Sequence, residues 1–542
     1  MIVAALISFI ARPAHAQEYA RLDLSGFIEV GGEADRFLRV LQDAGLVPLT
    51  PWSIQPFAPT QAKKLRAAAL HPWRARFDAT NGAANASDGA HLLRPEARLI
   101  GNSAFPFQVG AGPTWAGRGL TGEAQLGGSA SWNLAYAQVA PLVFAAQNLA
   151  FPLAPNGQTG NLRFADPRFP QNIDAPQRFG NQAYSRLDPG SSSLFFDKYG
   201  AVVGATTAPQ SWGPAQDYPL VLGPSAGGFP TVFLGTSTPL NLWLFRLHTR
   251  LVYSRLSQSS FSPLDTGNTE RLGSGIVGTI EPRGLPGLEI GGARFIHNLW
   301  PGNGISFSSE FGRPLSSGNI LSHASNLLTE NQVASIFARW ALPAAKAEFY
   351  GEMYREDFPG QFHQSLSLVE KPDDLSAFTL GFQRILIASD RFFRVIHGEI
   401  VNSQVSHQER ETRGFTQPLP PYIHAIETQG HTVDGLILGS PEAYGGAAWR
   451  LGIDDYSPVG RRSISLERSM RFDWLPTGAT TDTTKSLVHP DVIYALRLEL
   501  LQFHGNADWR AIVIPMIDLN RNLVAGSNVF NLAAGFTFHG WF

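Results

Sequence analysis

Along 529–542 the residues alternate between two faces. Phe530, Leu532, Ala534, Phe536, Phe538, Gly540 and Phe542 share one, and Val529, Asn531, Ala533, Gly535, Thr537, His539 and Trp541 the other. A period of two predicts a strand. Soluble strands usually run about five or six residues, whereas this length suits a tilted crossing of a bilayer. The stretch 243–255 repeats the pattern, with Trp243, Phe245, Leu247, Leu251 and Tyr253 expected toward lipid and Arg246, His248 and Arg250 toward a lumen. In 492–503, Val492, Tyr494, Leu496, Leu498 and Leu500 share a face opposite Arg497 and Glu499. A long edge strand of a soluble sheet would alternate in the same way, so the number and spacing of such runs decide between the two.

Similar runs fall at 94–103, 119–128, 132–140, 191–196, 201–208, 229–236, 275–281, 288–297, 332–340, 347–355, 375–387, 393–404, 447–455, 461–472 and 509–519. The total is about eighteen, even as bacterial outer-membrane barrels require. The connections alternate short and long. Turns such as 457–460 and 505–508 fall on one side, and segments such as 141–190, 209–228, 298–331 and 405–446 on the other. Short periplasmic turns and long outer loops are the barrel rule. The predicted fold is therefore an all-β transmembrane barrel of about eighteen antiparallel strands over 91–542, and the aromatic Phe542 fits its closing strand.

Residues 1–16 read as a signal peptide, with an apolar run followed by Ala14-His15-Ala16. Residues 17–90 read as a small periplasmic helical element and a linker. A helix is predicted over 32–44, where Phe37, Leu38 and Leu41 recur at helical spacing and Gly45 can cap. A second is predicted over 60–70 with Thr60 as N-cap, and 78–90 reads as the linker.

Composition supports sheet in a membrane. Charged residues are 16% of the 542, below the roughly 25% of soluble domains, while aromatics reach 11% and glycine 54 residues. The sequence holds no run of about 18 apolar residues, so a spanning helix is not expected. It has no cysteine, which removes disulfides and thiolate ligands, and its net charge of -2 has no basic excess for nucleic acid. Enzyme signals are weak. Gly223-Pro224-Ser225-Ala226-Gly227 fits Gly-x-Ser-x-Gly by letter, but that elbow needs a strand before it and a helix after it. The pairs Asp373-Asp374 and Asp454-Asp455 read as solvated or oppositely facing carboxylates, and His363, His397, His424 and His431 lack metal-ligand spacing. No catalytic residue, cofactor or metal is expected.

One long loop carries a motif. The run Ser211-Trp212-Gly213-Pro214-Ala215-Gln216-Asp217-Tyr218-Pro219-Leu220-Val221-Leu222 leads into Gly227-Gly228-Phe229-Pro230 and Leu234-Gly235-Thr236. With Ile173-Asp174-Ala175-Pro176, Asp188-Pro189-Gly190, Arg355-Glu356-Asp357, Tyr422-Ile423-His424 and Gln429-Gly430-His431-Thr432 in the same order, it resembles the capsule assembly protein Wzi family. The resemblance covers nearly all of the chain after the signal peptide and departs at Gly223-Pro224-Ser225-Ala226, where many family members carry Ser-Asn-Asn-Ala.

The resemblance implies an outer-membrane barrel of eighteen strands whose surface loops bind capsular polysaccharide. Its expected partners are that polysaccharide or an exopolysaccharide, outer-membrane lipid and the barrel assembly machinery. Sugars are held by aromatic faces and planar polar groups. The candidate glycan contacts are Trp212, Asp217, Tyr218, Arg410, Tyr422, His424, Tyr444 and Trp449. Trp212 also reads as a buried anchor, because Gly213-Pro214 turns the chain directly after it. A diffusion pore shares every architectural feature and is the alternative reading; a barrel-embedded hydrolase is a third.

Overall fold

The computed structural model describes residues 27–65, 70–76, 89–108, 110, 112–261, 269–301, 311–315, 330–356, 376–404, 420–424, 427–471, 489–505 and 507–540. The expected signal peptide, most of the expected linker, Arg410 and Phe542 lie outside the described residues.

Among these residues, twenty-three hydrogen-bonded segments form one closed antiparallel barrel. Five segments continue a neighbour across a bend, so the barrel has eighteen staves. The last stave, Val529–His539, bonds to Glu96–Asn102, with Ala533 opposite Asn102 and His539 opposite Glu96. The bends explain where the sequence reading and the structure part. Pro141 was expected to end a strand, yet Leu142–Ala146 carries on in register with Gly119–Gln125, and Tyr184–Asp188 pairs with it. At the bend the backbones approach so closely that a Cβ on Gly127 would come within 2.3 Å of the Val139 carbonyl oxygen, leaving room only for glycine. The first stave likewise starts at Gly89, inside the expected linker.

The wall is apolar outside and polar inside. Phe530, Leu532 and Phe536 are exposed on one face of the closing stave, while Asn531 and Thr537 are buried on the other. In Phe245–Ser257, His248 and Arg250 point inward and are buried. No helix among the described residues is long and apolar enough to span a membrane. An outward hydrophobic belt on a closed sheet that satisfies its own backbone is the architecture of an outer-membrane barrel.

Helix α1 (Glu33–Asp43) buries Phe37, Leu38, Val40 and Leu41. It ends as its sequence predicts: Gly45 takes a φ of 72°, its N–H donates to Gln42 O, and Leu46 N–H donates to Leu41 O. Helix α2 (Pro59–Lys64) is capped two residues earlier than expected and ends at Lys64, short of the expected 70. Ala58 is its N-cap and Pro59 its first residue, while the Thr60 N–H donates to Asp197 at 2.7 Å. Both helices sit at the short-turn end. Phe37 packs on Trp73, Phe393 and Tyr456, and Trp73 Nε1 donates to Ser457 O at 3.1 Å.

Arg339 on the inner wall ties this element in place. Its Nη1 donates to Glu289 at 2.7 Å, Nε to Glu348 at 2.7 Å and Nη2 to Gln42 at 2.8 Å. Arg39 of α1 reaches the same Glu348 at 2.7 Å, and Glu289 accepts the Trp52 N–H at 3.1 Å. All of these side chains are buried. Arg339→Ala leaves Glu289 buried without a cation and Glu348 with Arg39 alone, at a cost of roughly 3 to 5 kcal/mol. We expect 27–76 to become protease-sensitive while the barrel keeps its heat-dependent gel migration; unchanged protection would show that the network does not hold the element.

Candidate functional site

The lumen is filled from both ends, and the two fillings meet. Ile54 and Gln55, from the N-terminal element, pair in an antiparallel ladder with Trp212 and Ser211 of the loop that precedes the stave at Thr231–Thr236. The loop is held by the wall. Glu399 accepts the N–H groups of Gln216, Asp217 and Tyr218 at 2.9, 3.1 and 2.5 Å, Tyr350 Oη donates to the same carboxylate at 2.6 Å, and Thr379 donates to Tyr218 O at 2.9 Å.

The expected site residues do not gather in one place. Trp212, Tyr218, Tyr422 and Tyr444 belong to one apolar core. The Trp212 indole is fully buried against Phe295, ring centroids 5.9 Å apart. Tyr422 is also fully buried: its N–H donates to Glu356 at 2.8 Å, its hydroxyl to Leu220 O at 2.7 Å, and its ring stacks on His431. His424 is half-buried and accepts the Glu427 N–H at 2.8 Å. Trp449 lies apart, since it shares a register row with Ile400, which is exposed on the lipid face.

Asp217, Tyr218 and Tyr444 border a cavity of about 750 Å³ that runs beside the two fillings, along the wall from Asp491–His504 through Ala507–Leu519 and the closing stave to Glu96–Asn102. Its lining is strongly but evenly charged, nine arginines against nine carboxylates, with His539 besides. Asp217 pairs with Arg450 and, at 3.8 Å, with Arg36 of α1. Burial by itself would raise the Asp217 carboxyl, but Arg450 and then Arg36 hold it below its ordinary value. Arg497, expected on the inner face, donates to Glu467 at 2.6 Å. At the long-loop end the cavity meets Phe107, Trp115, Phe151 and Tyr444, with Asp166 and Arg168 beside them. Burial raises Asp166 and lowers Arg168 to about 10.

Sequence reasoning missed Arg36, Trp115 and Arg168. The first sits on the polar side of a short helix and the other two in loops without periodicity, so neither period nor motif marks them. Among the described residues no group of three or more metal-ligating side chains comes together.

No protein-family model matches the sequence, and no curated protein sequence matches it. Among solved structures, Wzi superposes with a TM-score of 0.62 over 94% of this chain and 99% of its own, at 13% identity. The chain has the Wzi fold. Wzi is described as an outer membrane protein involved in group 1 capsule assembly in Escherichia coli and as a carbohydrate-binding β-barrel. The Pseudomonas aeruginosa barrels OpdQ and OprD each align over 83% of the chain, at 9% and 10% identity, with TM-scores of 0.37 and 0.35. OpdQ is covered over 98% of its length and OprD over 94%.

His431 clamps the loops together. One ring nitrogen lies 2.7 Å from His297 and the other 2.5 Å from Val221 O, and Arg271 donates to Gly430 O and Thr432 O on either side. Burial lowers His431 from 6.5 to about 4, so an opened loop takes up a proton before the closed one does. The histidine's contribution to closure is then fully present above about pH 6.5 and is lost as the pH falls toward 4. Glu427, raised by burial to about 7, acts in the opposite sense: its contribution is lost as the pH rises from 4.5 to 7. Comparing the chain with His431→Asn isolates the histidine. Limited proteolysis at falling pH should open the loop around 427–440 in the unaltered chain, and the acid-side increase should be smaller in the variant, where His297 remains; the same increase in both would exclude His431 as its source.

Proposed function

We propose that the chain is an outer-membrane surface protein that binds capsular or other extracellular polysaccharide and helps attach it to the cell surface, without catalysing a reaction. The observation that carries this reading is the outer half of the cavity, where Phe107, Trp115, Phe151 and Tyr444 stand beside Asp166 and Arg168. Apolar ring faces suit the C–H surfaces of sugars, and carboxylates and guanidinia suit pairs of hydroxyls. A cavity of about 750 Å³ is the size of a small-ligand site, so it takes a short stretch of glycan rather than a whole polymer. The Wzi fold over almost the full chain supports the same reading. Outer-membrane lipid and the barrel assembly machinery complete the proposed partners.

A diffusion pore is the second reading, favoured by the reach of the same cavity to Glu96, Asp508 and His539 at the short-turn end. Large, stable steps from the full chain in planar bilayers would favour it over glycan binding.

A glycan array on the purified protein tests the first reading. We expect Trp115→Ala to weaken the best glycan about tenfold, the scale of one lost aromatic contact, with thermal unfolding nearly unchanged. Trp212→Ala removes a buried anchor worth roughly 3 to 5 kcal/mol, and should lose glycan only together with protease protection of 209–228. An array without a bound glycan, or full binding by Trp115→Ala, would overturn the assignment.

A further inference from the structure

The lipid-facing belt contains a cation with no carboxylate partner among the described residues. Strand register places Arg468 between Trp449 and Tyr494, and the same row continues through Ile400 on one side and Ile517 and Phe530 on the other. Ile400, Tyr494, Ile517 and Phe530 are exposed on the outer face, as are Leu466 and Ile464 on the Arg468 strand itself. Arg468 is partly exposed among them. Its Nε donates to Tyr494 Oη at 3.3 Å, its Cζ lies 5.8 Å from the Tyr494 ring centroid, and Nη2 lies 3.8 Å from Met470 Sδ. No carboxylate among the described residues lies within ion-pair distance of it. The other end of the same strand is built differently: there the outward Arg394 and Arg462 flank Asp455, and Arg394 pairs with that carboxylate at 2.7 Å.

A guanidinium on a lipid-facing surface is unfavourable unless it reaches an anion or water at the interface. Arg468 lies three residues from the strand end at Arg471, roughly 10 Å along the strand, at the long-loop end. That is the level of the outer-leaflet headgroups, and the flanking Trp449 and Tyr494 are the aromatic types that settle at this depth. We propose that Trp449, Arg468 and Tyr494 form a binding site for the phosphate headgroup of an outer-leaflet lipid. Arg468 supplies the charge and a planar fork of donors suited to phosphate oxygens, Tyr494 orients the guanidinium, and Trp449 packs against the lipid's glycerol or sugar moiety. The site lies on the outside of the wall, away from the lumen cavity, and gives Trp449 a role other than contact with a surface glycan.

The test uses the full chain in a non-ionic detergent, titrated with lipid A, phosphatidylcholine or inorganic phosphate and read by native mass spectrometry. Lipid A is expected to bind saturably, to weaken as salt is added, and to bind Arg468→Gln about tenfold more weakly, with Arg468→Lys retaining most of the affinity. Phosphatidylcholine should bind more weakly, and inorganic phosphate should weaken lipid A binding no more than chloride does at equal ionic strength. Equal affinity of Arg468→Gln for lipid A, equal binding of phosphatidylcholine, or displacement by inorganic phosphate well beyond that by chloride would each overturn the proposal. Heat-dependent gel migration verifies that the variants insert. Should Arg468→Gln fail to fold, salt-insensitive lipid A binding by the unaltered chain overturns it on its own.

Discussion

Three successive backbone N–H groups, of Gln216, Asp217 and Tyr218, end on the single carboxylate of Glu399, and the rest of the lumen depends on bonds of this kind. An eighteen-stave barrel encloses more space than its inward side chains fill, so loops and the N-terminal element must occupy it. Their amides lose bulk water on entry and need acceptors. The wall supplies them as carboxylates: Glu399 for the loop, Glu289 for Trp52 and Ser53, and Glu356 for Tyr422. Each carboxylate is then a buried charge, and arginines such as Arg339 balance part of that load.

The cavity is where this filling stops. Its walls carry the same mixture of guanidinium and carboxylate groups, since strands alternating inward polar residues present them along their whole length. Where loop backbone covers those groups they act as structural acceptors and donors. Where it does not, as around Arg497 and Arg510, they face a space large enough for a ligand. Phe107, Trp115, Phe151 and Tyr444 gather at the long-loop end of that space, which gives it an amphipathic mouth.

The wall was legible in the sequence because a period of two is enforced at every residue by lipid on one side and polar contents on the other. Phe530, Phe536, His248 and Arg250 all face as the alternation predicts. The exceptions are local. Pro141 and Gly127 look like strand ends, yet the register resumes across them because the neighbouring staves hold both halves. Loop interiors were far less legible. Nothing in the local pattern tells that Tyr422 is sealed beneath Leu220 or that Trp115 borders open space, because both depend on contacts between segments distant in sequence. Trp449 shows a further limit: a tryptophan near a strand end suits a glycan or a membrane interface equally well, and only register fixes which face it takes.

The short ladder between Ile54–Gln55 and Ser211–Trp212 joins a segment that enters from the short-turn end to one that descends from the long-loop end. Two strands cannot pair through a closed wall, so both segments must lie inside before the sheet seals between Val529–His539 and Glu96–Asn102, or else one must be threaded in afterwards through its own mouth. Either route makes the order of assembly part of the native structure. Once formed, the ladder is a rivet: neither segment can be withdrawn without breaking bonds to the other.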